Sequence, residues 1–300
     1  MKLSPLVIAA AQTWRTANPN LYEFLRGLAV EFHGTAAGHH GSFTASGVVV
    51  RATATDAYIV TARHNLTLAA AGEPVDPVTH YTTRIRARLY DVHDALAVDS
   101  PIVEVYQPDG PPHHGLDVAV MRVSDRAFVQ RARGLVAPGT TGHAFKPDTF
   151  DTEGWLIPLA DDYTARAVLA NGRTFPGVPA VAMYQNHTLV QMGYGVHTAN
   201  LYAFRYRVLA AQQLVAPTLI DTTHEGWTSV FTFDTTDTNS GAPGDSGGPV
   251  FAVPPANSQN ELALVAVHSG ANYFAGRTDN DPASPTVNNA FTWVADAPMP

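Results

Sequence analysis

Gly244-Asp245-Ser246-Gly247-Gly248-Pro249-Val250 sets one hydroxyl among small residues immediately before an apolar strand. The glycines let a substrate carbonyl approach the backbone there. A serine hydroxyl is a weak nucleophile at its own pKa, so chemistry at Ser246 needs a histidine as base and a third group to orient that base. The sequence offers both upstream. Tyr58-Ile59-Val60-Thr61-Ala62-Arg63-His64 ends an apolar strand on a histidine, and Gly115-Leu116-Asp117-Val118-Ala119-Val120 places a carboxylate at the mouth of another. The chain order is His64, Asp117, Ser246, with spacings of 53 and 129 residues.

Outward from these blocks, residues beyond 26 read as short runs rich in Val, Ile, Tyr and Thr, punctuated by Gly, Pro, Asn and Asp. That is strand-and-turn grammar. Six strands are expected in the first half, at Ala29 to Phe32, Ser42 to Val50, Ala57 to Thr61, Ile85 to Val92, Pro101 to Tyr106 and Asp117 to Val123. Six more are expected at Thr188 to Val196, Leu201 to Ala211, Ser229 to Phe233, Gly248 to Val253, Leu262 to His268 and Phe291 to Val294. The fold expected is therefore all-β, two six-stranded antiparallel barrels, residues 29–123 and 187–300. The stretch 124–186 between them, with Pro138, Pro147, Pro158, Pro176 and Pro179, is too long for a bare loop and is expected to hold local structure.

Residues 1–28 have two readings. Met1-Lys2 followed by Leu3 to Ala11 has the basic, apolar, small order of a secretory leader. Ser4 as cap, Pro5 in the first turn and Leu6, Ile8 and Trp14 beyond start a helix equally well, and Pro5 interrupts the apolar run. The helix is the preferred reading.

The 300 residues carry 45% apolar and 15% charged side chains, the balance of a chain that folds into a sizeable core. A net charge of −8, with no block of basic residues, argues against nucleic acid as the primary partner. No run reaches the roughly 18 apolar residues of a membrane-spanning helix. The absence of cysteine removes disulfides, a thiolate nucleophile and Cys-ligated zinc. It tips the compartment toward the cytoplasm, against the leader-like start. The pairs His39-His40 and His113-His114 are read as loop residues rather than metal ligands, since neighbours on a strand point opposite ways.

The three blocks resemble those of the chymotrypsin-like (trypsin-fold) serine peptidases: Thr-Ala-x-His, Asp-hydrophobic-Ala and Gly-Asp-Ser-Gly-Gly-Pro. Gly193-Tyr194-Gly195 resembles the Gly-Trp-Gly that opens the second barrel of that family, and Val267-His268-Ser269-Gly270 resembles its cleft-lining strand. The similarity runs over residues 29 to 296, dense at the blocks and thin in the linker.

The resemblance implies a serine endopeptidase acting on peptides or proteins without metal or organic cofactor. Ser246 would attack, His64 would carry the proton, Asp117 would orient the imidazole, and the amides of Gly244 and Ser246 would form an oxyanion hole. Asp245 pairs, in trypsin-like enzymes, with the freshly cut amine of an Ile-Val-Gly-Gly terminus. No such sequence precedes the first strand here, so Asp245 is expected to find another partner or to sit solvated. The residue six before the nucleophile, at the base of the specificity pocket, is Ser240 rather than an acid. The resemblance implies a neutral pocket with His268, Ser269 and Gly270 on its wall, or one entered by Asp234 or Asp237 if the preceding loop is offset. A histidine there resembles glutamate-specific and 3C-like peptidases and implies a Glu or Gln preference.

Two other readings stand beside this one. Gly244-x-Ser246-x-Gly248 also fits the nucleophile elbow of α/β-hydrolases, but that fold needs the order Ser, acid, His, and no acid lies between Ser246 and His268 apart from Glu261, too close to that histidine. A peptidase fold kept as a latent or inactive binding module is the second, since fold does not fix function.

Overall fold

The computed structural model of the chain describes residues 1–35, 42–66, 84–91, 93–107, 118–135, 154–156, 188–198, 201–210, 215–219, 230–236, 239–255, 262–271 and 286–293. A two-residue strand, β1 (Lys2–Leu3), leads into the helices α1 (Pro5–Ala17) and α2 (Pro19–Leu28). Ser4 caps α1, its hydroxyl accepting from the Val7 amide at 3.4 Å. The chain turns at Asn18, whose backbone and side-chain amides both donate to the Trp14 carbonyl at 2.9 Å, and Pro19, lacking an N–H, begins α2. Leu21, Tyr22, Phe24, Leu25 and Leu28 form the buried face of α2 and join the main apolar core. Among the described residues no helix is long and apolar enough to cross a membrane.

The first sheet contains β2 (Ala29–Thr35), β3 (Ser42–Thr53), β4 (Ala57–Thr61), β5 (Ile85–Tyr90), β6 (Leu96–Pro101), β7 (Glu104–Tyr106) and β8 (Ala119–Val123) in the order β6-β5-β2-β3-β4-β8-β7, with β9 (Gly154–Leu156) added on β3. Helix α3 (Arg126–Arg133), capped by the Asp125 carboxylate on the Phe128 amide, follows β8. The second sheet is built from β10 (Thr188–Gly193), β13 (Arg205–Ala210), β14 (Val215–Leu219), β15 (Val230–Thr236), β17 (Pro249–Val253), β18 (Ala263–Ala271) and β19 (Thr286–Trp293), ordered β13-β10-β17-β18-β19-β15-β14. Two small pairs complete the set: β11 (Val196–Thr198) with β12 (Leu201–Tyr202), and β1 with β16 (Asn239–Ser240). Every pairing is antiparallel.

This is the all-β, two-sheet architecture expected, with local differences of physical origin. Of the strand expected over Pro101 to Tyr106 only Glu104–Tyr106 forms, as β7, while Pro101 is the last residue of β6, a strand not expected. Pro101 has no N–H with which to continue the ladder, so β6 stops there and β7 pairs with β8 at the other edge of the sheet. The strand β14 was not foreseen, because Pro217 argues against a central strand; it lies at the sheet edge, where proline is tolerated. Among the described residues the first sheet thus has eight strands, counting β9, and the second seven, rather than six apiece.

Two arginine-centred clusters brace the first sheet. Arg86 and Arg88 both donate to the Asp99 carboxylate, and Arg122 reaches Asp56 at 2.9 Å and Glu104 at 2.7 Å. Burial pushes Asp99 up, but the hydrogen bonds from Arg86 and Arg88 outweigh it and hold the carboxyl below its ordinary value. Asp56 is likewise lowered, burial being outweighed by bonds from Ser124, Thr55 and Arg122, and Glu104 is lowered by Tyr106 and then Arg122. Groups with depressed folded pKa values stabilise above their unfolded values near 4 and lose that contribution as pH falls through the folded ones. The melting temperature is therefore expected to be flat from pH 7 to about 5 and to fall below about 4. The fall should be shallower in Asp99→Asn, a comparison that thermal scans across pH would check.

Candidate active site

The turn from Ala242 to Gly248 is shaped by two glycines with positive φ, Gly244 at 94° and Gly247 at 84°, a region other residues enter only under strain. Within it the Asp245 amide donates to the Ala242 carbonyl at 2.9 Å and the Gly248 amide to the Asp245 carbonyl at 2.8 Å. Strand β18 holds its far side: the Gly247 amide donates to the His268 carbonyl at 2.6 Å, and the His268 amide to the Gly248 carbonyl at 2.8 Å.

The first sheet clamps the same turn from the opposite side. The Ser46 amide on β3 donates to the Ser246 carbonyl at 2.9 Å, and the Ser46 hydroxyl to the Gly244 carbonyl at 2.7 Å. That hydroxyl also accepts from the Tyr194 amide at 2.9 Å, while the Ser46 carbonyl accepts from the Thr61 hydroxyl at 2.7 Å. Asn65 adds a third tie, its side-chain amide donating to the Ser246 carbonyl at 3.0 Å and to the Thr61 hydroxyl at 3.1 Å. The carbonyls of Gly244 and Ser246 are thereby engaged, whereas among the described residues the amides of Gly244 and Ser246 meet no acceptor. Ser246 itself is half-buried.

His64 occupies the 3-10 turn Arg63–Leu66 directly after β4, with Asn65 as its neighbour. Asp117 lies outside the described residues, as do His39-His40 and His113-His114. The register of β4 on β8 sets Thr61 opposite Ala119, so the end of β4 and the start of β8 share one edge. Of the expected pocket residues, His268 is buried in β18 opposite Phe291, and a register shift falls between it and Gly270, at Ser269. Ser240 pairs through its backbone with Lys2.

Asp245 has a partner that the sequence did not suggest. Its carboxylate receives the α-ammonium of Met1 at 2.6 Å, with both groups fully buried. Oδ1 also accepts from the Gly195 amide and Oδ2 from the Ala242 amide, each at 2.8 Å. Of the two expected outcomes, another partner or a solvated carboxylate, the structure has the first: the pairing asks for a buried positive charge, not for an Ile-Val-Gly-Gly side-chain pattern. A Cβ on Gly193 or Gly195 would collide with that carboxylate, which explains both glycines around Tyr194. Arg207 lies nearby, fully buried with its Nε donating to Gln191 at 2.6 Å; burial pushes its guanidinium down and the field of Asp245 opposes that.

A second anchor joins the N-terminal helices to the site. Arg26 of α2, 1% exposed, donates to the Tyr194 hydroxyl at 2.6 Å and to Asp94 at 2.7 Å, with its guanidinium 3.8 Å from the Phe204 ring centroid. Burial pushes the Tyr194 phenol up, and the guanidinium only partly offsets this. Ser46, Asn65, Met1 and Arg26 are the residues that the sequence reading did not place at the site. Asn65 is buried, its side-chain amide bonded to both Ser246 and Thr61. Asn65→Ala should leave the Ser246 carbonyl with one donor fewer and cost about 1–3 kcal/mol. Chemical denaturation would check it, and an unchanged midpoint would contradict the clamp.

No family model matches this chain, and no curated protein matches it. Among solved structures it is similar to GrC, at 12% identity and a TM-score of 0.48 over 91% of each chain. It is also similar to HL collagenase, at 14% identity and a TM-score of 0.46, covering 91% of this chain and 90% of that one. The two antiparallel sheets described above define an all-β fold consistent with the chymotrypsin-like double barrel.

Proposed function

We propose that the chain is a serine endopeptidase in which Ser246, His64 and Asp117 form the catalytic triad. The supporting observation is the turn at Ser246: among the described residues the amides of Gly244 and Ser246 meet no acceptor beside a half-buried hydroxyl, while the carbonyls are tied to Ser46 and to the neighbour of His64. Two amides aimed beside a nucleophile are what an oxyanion requires, and one such donor is worth about 10²–10³ in kcat.

The Ser246 Oγ bonds to the scissile carbonyl carbon as its proton passes to the His64 imidazole, and the oxyanion rests on the two amides. The carbon–nitrogen bond then breaks as His64 returns the proton to the leaving amine. Water, deprotonated by His64, attacks the acyl-enzyme, and the Oγ leaves with the proton. Asp117 holds the imidazole tautomer and balances its charge. No metal or organic cofactor takes part, and the substrate is a peptide or protein. His268, Ser269, Gly270 and Ser240 border a neutral pocket with a Glu or Gln preference.

Fluorophosphonate labelling followed by intact mass tests the reading. Wild-type protein should take up one probe and Ser246→Ala none; equal labelling of both would remove Ser246 as nucleophile. Absence of labelling in either would favour the inactive binding module. The rate should rise with pH across the range in which an imidazole loses its proton, since only the neutral ring accepts from serine. His268→Ala should change which side chain is preferred before the cut bond, and equal loss on every substrate would instead assign it a structural role.

A further inference from the structure

We propose that Asn65 is a positioning residue for the reaction: the two hydrogens of its side-chain amide tie the turn that carries His64 to the backbone of Ser246, so that one neutral side chain sets the base against the nucleophile. The inference rests on the peptidase reading above.

The hydrogen bonds around Asn65 have a single consistent arrangement. The Ser246 carbonyl can only accept, so the atom 3.0 Å from it is the amide nitrogen, Nδ2. The Thr61 hydroxyl spends its one hydrogen on the Ser46 carbonyl at 2.7 Å, so toward Nδ2, at 3.1 Å, it too can only accept. Both Nδ2 hydrogens are thereby committed. The Ser46 amide closes the ring by donating to the same Ser246 carbonyl at 2.9 Å. Ser46, Thr61 and Asn65 are all buried, so solvent does not make good a bond lost from the ring.

Asn65 differs from the other members in where it stands. Ser46 and Thr61 are fixed in the ladders of the first sheet, opposite Glu31 and Ala119. Asn65 belongs to the 3-10 turn Arg63–Leu66, next to His64, with its own backbone amide on the Ala62 carbonyl at 3.2 Å. Adjacent Cα atoms are held about 3.8 Å apart by the peptide between them, so a shift of Asn65 is passed on to His64. On the other side, the peptide joining Ser246 to Gly247 is held at both ends. Its oxygen is held by Ser46 and Asn65, and its N–H by the His268 carbonyl at 2.6 Å. That peptide leaves Ser246 from the Cα that also bears the hydroxymethyl group. The sheet thus fixes the nucleophile through Ser46, and Asn65 joins the base-bearing turn to the same carbonyl. A misplacement of about 1 Å between reacting groups costs about 10²-fold in rate, which gives the bond its catalytic weight. Asn65 itself acts through His64 and Ser246 rather than on substrate.

The ring also permits an isosteric test. Aspartate has the shape of asparagine, but a carboxylate oxygen in the place of Nδ2 would face two acceptors with no hydrogen to give. Asn65→Asp, Asn65→Ala and Thr61→Val are compared with wild type in the full chain. Thr61→Val keeps the bulk of the side chain and the bond from Asn65 to Ser246, and removes only the hydroxyl that orients the amide. Active sites are counted by fluorophosphonate titration. The rate constant of labelling, and kcat and KM on a peptide that the wild type cleaves, are then measured per titrated site. Asn65→Asp and Asn65→Ala should lower kcat and the labelling rate about 10–100-fold with KM within about threefold, and Thr61→Val should fall between them and wild type. Asn65→Asp should lose at least as much as Asn65→Ala, although it fills the same space as the native residue. A role confined to holding the fold together would reduce the number of titratable sites and leave both rates unchanged at those that remain. That result, or an Asn65→Asp chain as fast as wild type, overturns the proposal and leaves the peptidase reading intact. If neither Asn65 variant folds, Thr61→Val decides, and an undiminished kcat per site in it is equally fatal. If the wild type neither labels nor cleaves, the peptidase reading falls and the role of Asn65 falls with it.

Discussion

His64→Ala is expected to lower kcat by about 10⁴–10⁶-fold while KM stays within a few-fold, because the base acts on the serine proton in the transition state and not on bound substrate. The clamps that position Ser246 come from Ser46 and Asn65 and involve no imidazole, so the turn should keep its shape in the variant. On the proposed reading the residual rate is that left to the Gly244 and Ser246 amides with bound substrate. Melting should therefore change little, and combining His64→Ala with Ser246→Ala should cost barely more than either alone, since triad members act as one unit. Undiminished kcat in His64→Ala would end the triad assignment. Additive losses would show instead that the two residues work independently.

Gly247→Ala is expected to destabilise the chain by about 3–5 kcal/mol and to abolish labelling of Ser246. The φ of Gly247 is 84°, and a Cβ there would run into the Ser46 carbonyl oxygen, the Thr61 hydroxyl and the Ala62 amide. One of these is a backbone atom of β3, where Ser46 pairs with Glu31, and another is the amide directly after β4, and neither can step aside without disturbing those strands. Gly134→Ala is the matched control. Its φ is −74°, a helical value at the end of α3, and its change should stay within about 1 kcal/mol. Equilibrium unfolding of both variants would check the contrast, and a Gly247→Ala chain as stable as the control would refute the close approach of the sheets at this turn.

The sheets were legible because alternation and turn residues are local signals. Ala57 to Thr61 was placed to the residue, and the runs from Ala29 and Thr188 began where expected. Pro101 and Pro217 show where such reading stops, since whether a proline ends a strand or sits on an edge depends on neighbours distant in sequence. The Gly244 to Gly248 turn was legible because its small residues and hydroxyl are contiguous. Ser46 was not, for a serine in the middle of a strand looks like any half-polar position until Gly244 and Tyr194 close on it. Met1 carried no signal at all, because its ammonium, not its side chain, is the group that Asp245 binds.

The bonds that assemble the turn span 198 residues from Ser46 to Gly244, 181 from Asn65 to Ser246 and 148 from Ser46 to Tyr194. Contacts of such sequence separation demand large loop closures and form late in folding. A chain emerging during synthesis therefore completes β3, β4 and the His64 turn long before Ser246 exists to meet them. Their amides should exchange hydrogen only when the whole molecule opens. A half-made chain consequently holds the strands of the first sheet and lacks Ser246, so on the peptidase reading proposed above it cuts none of its unfolded neighbours during the interval when they are easiest to cut.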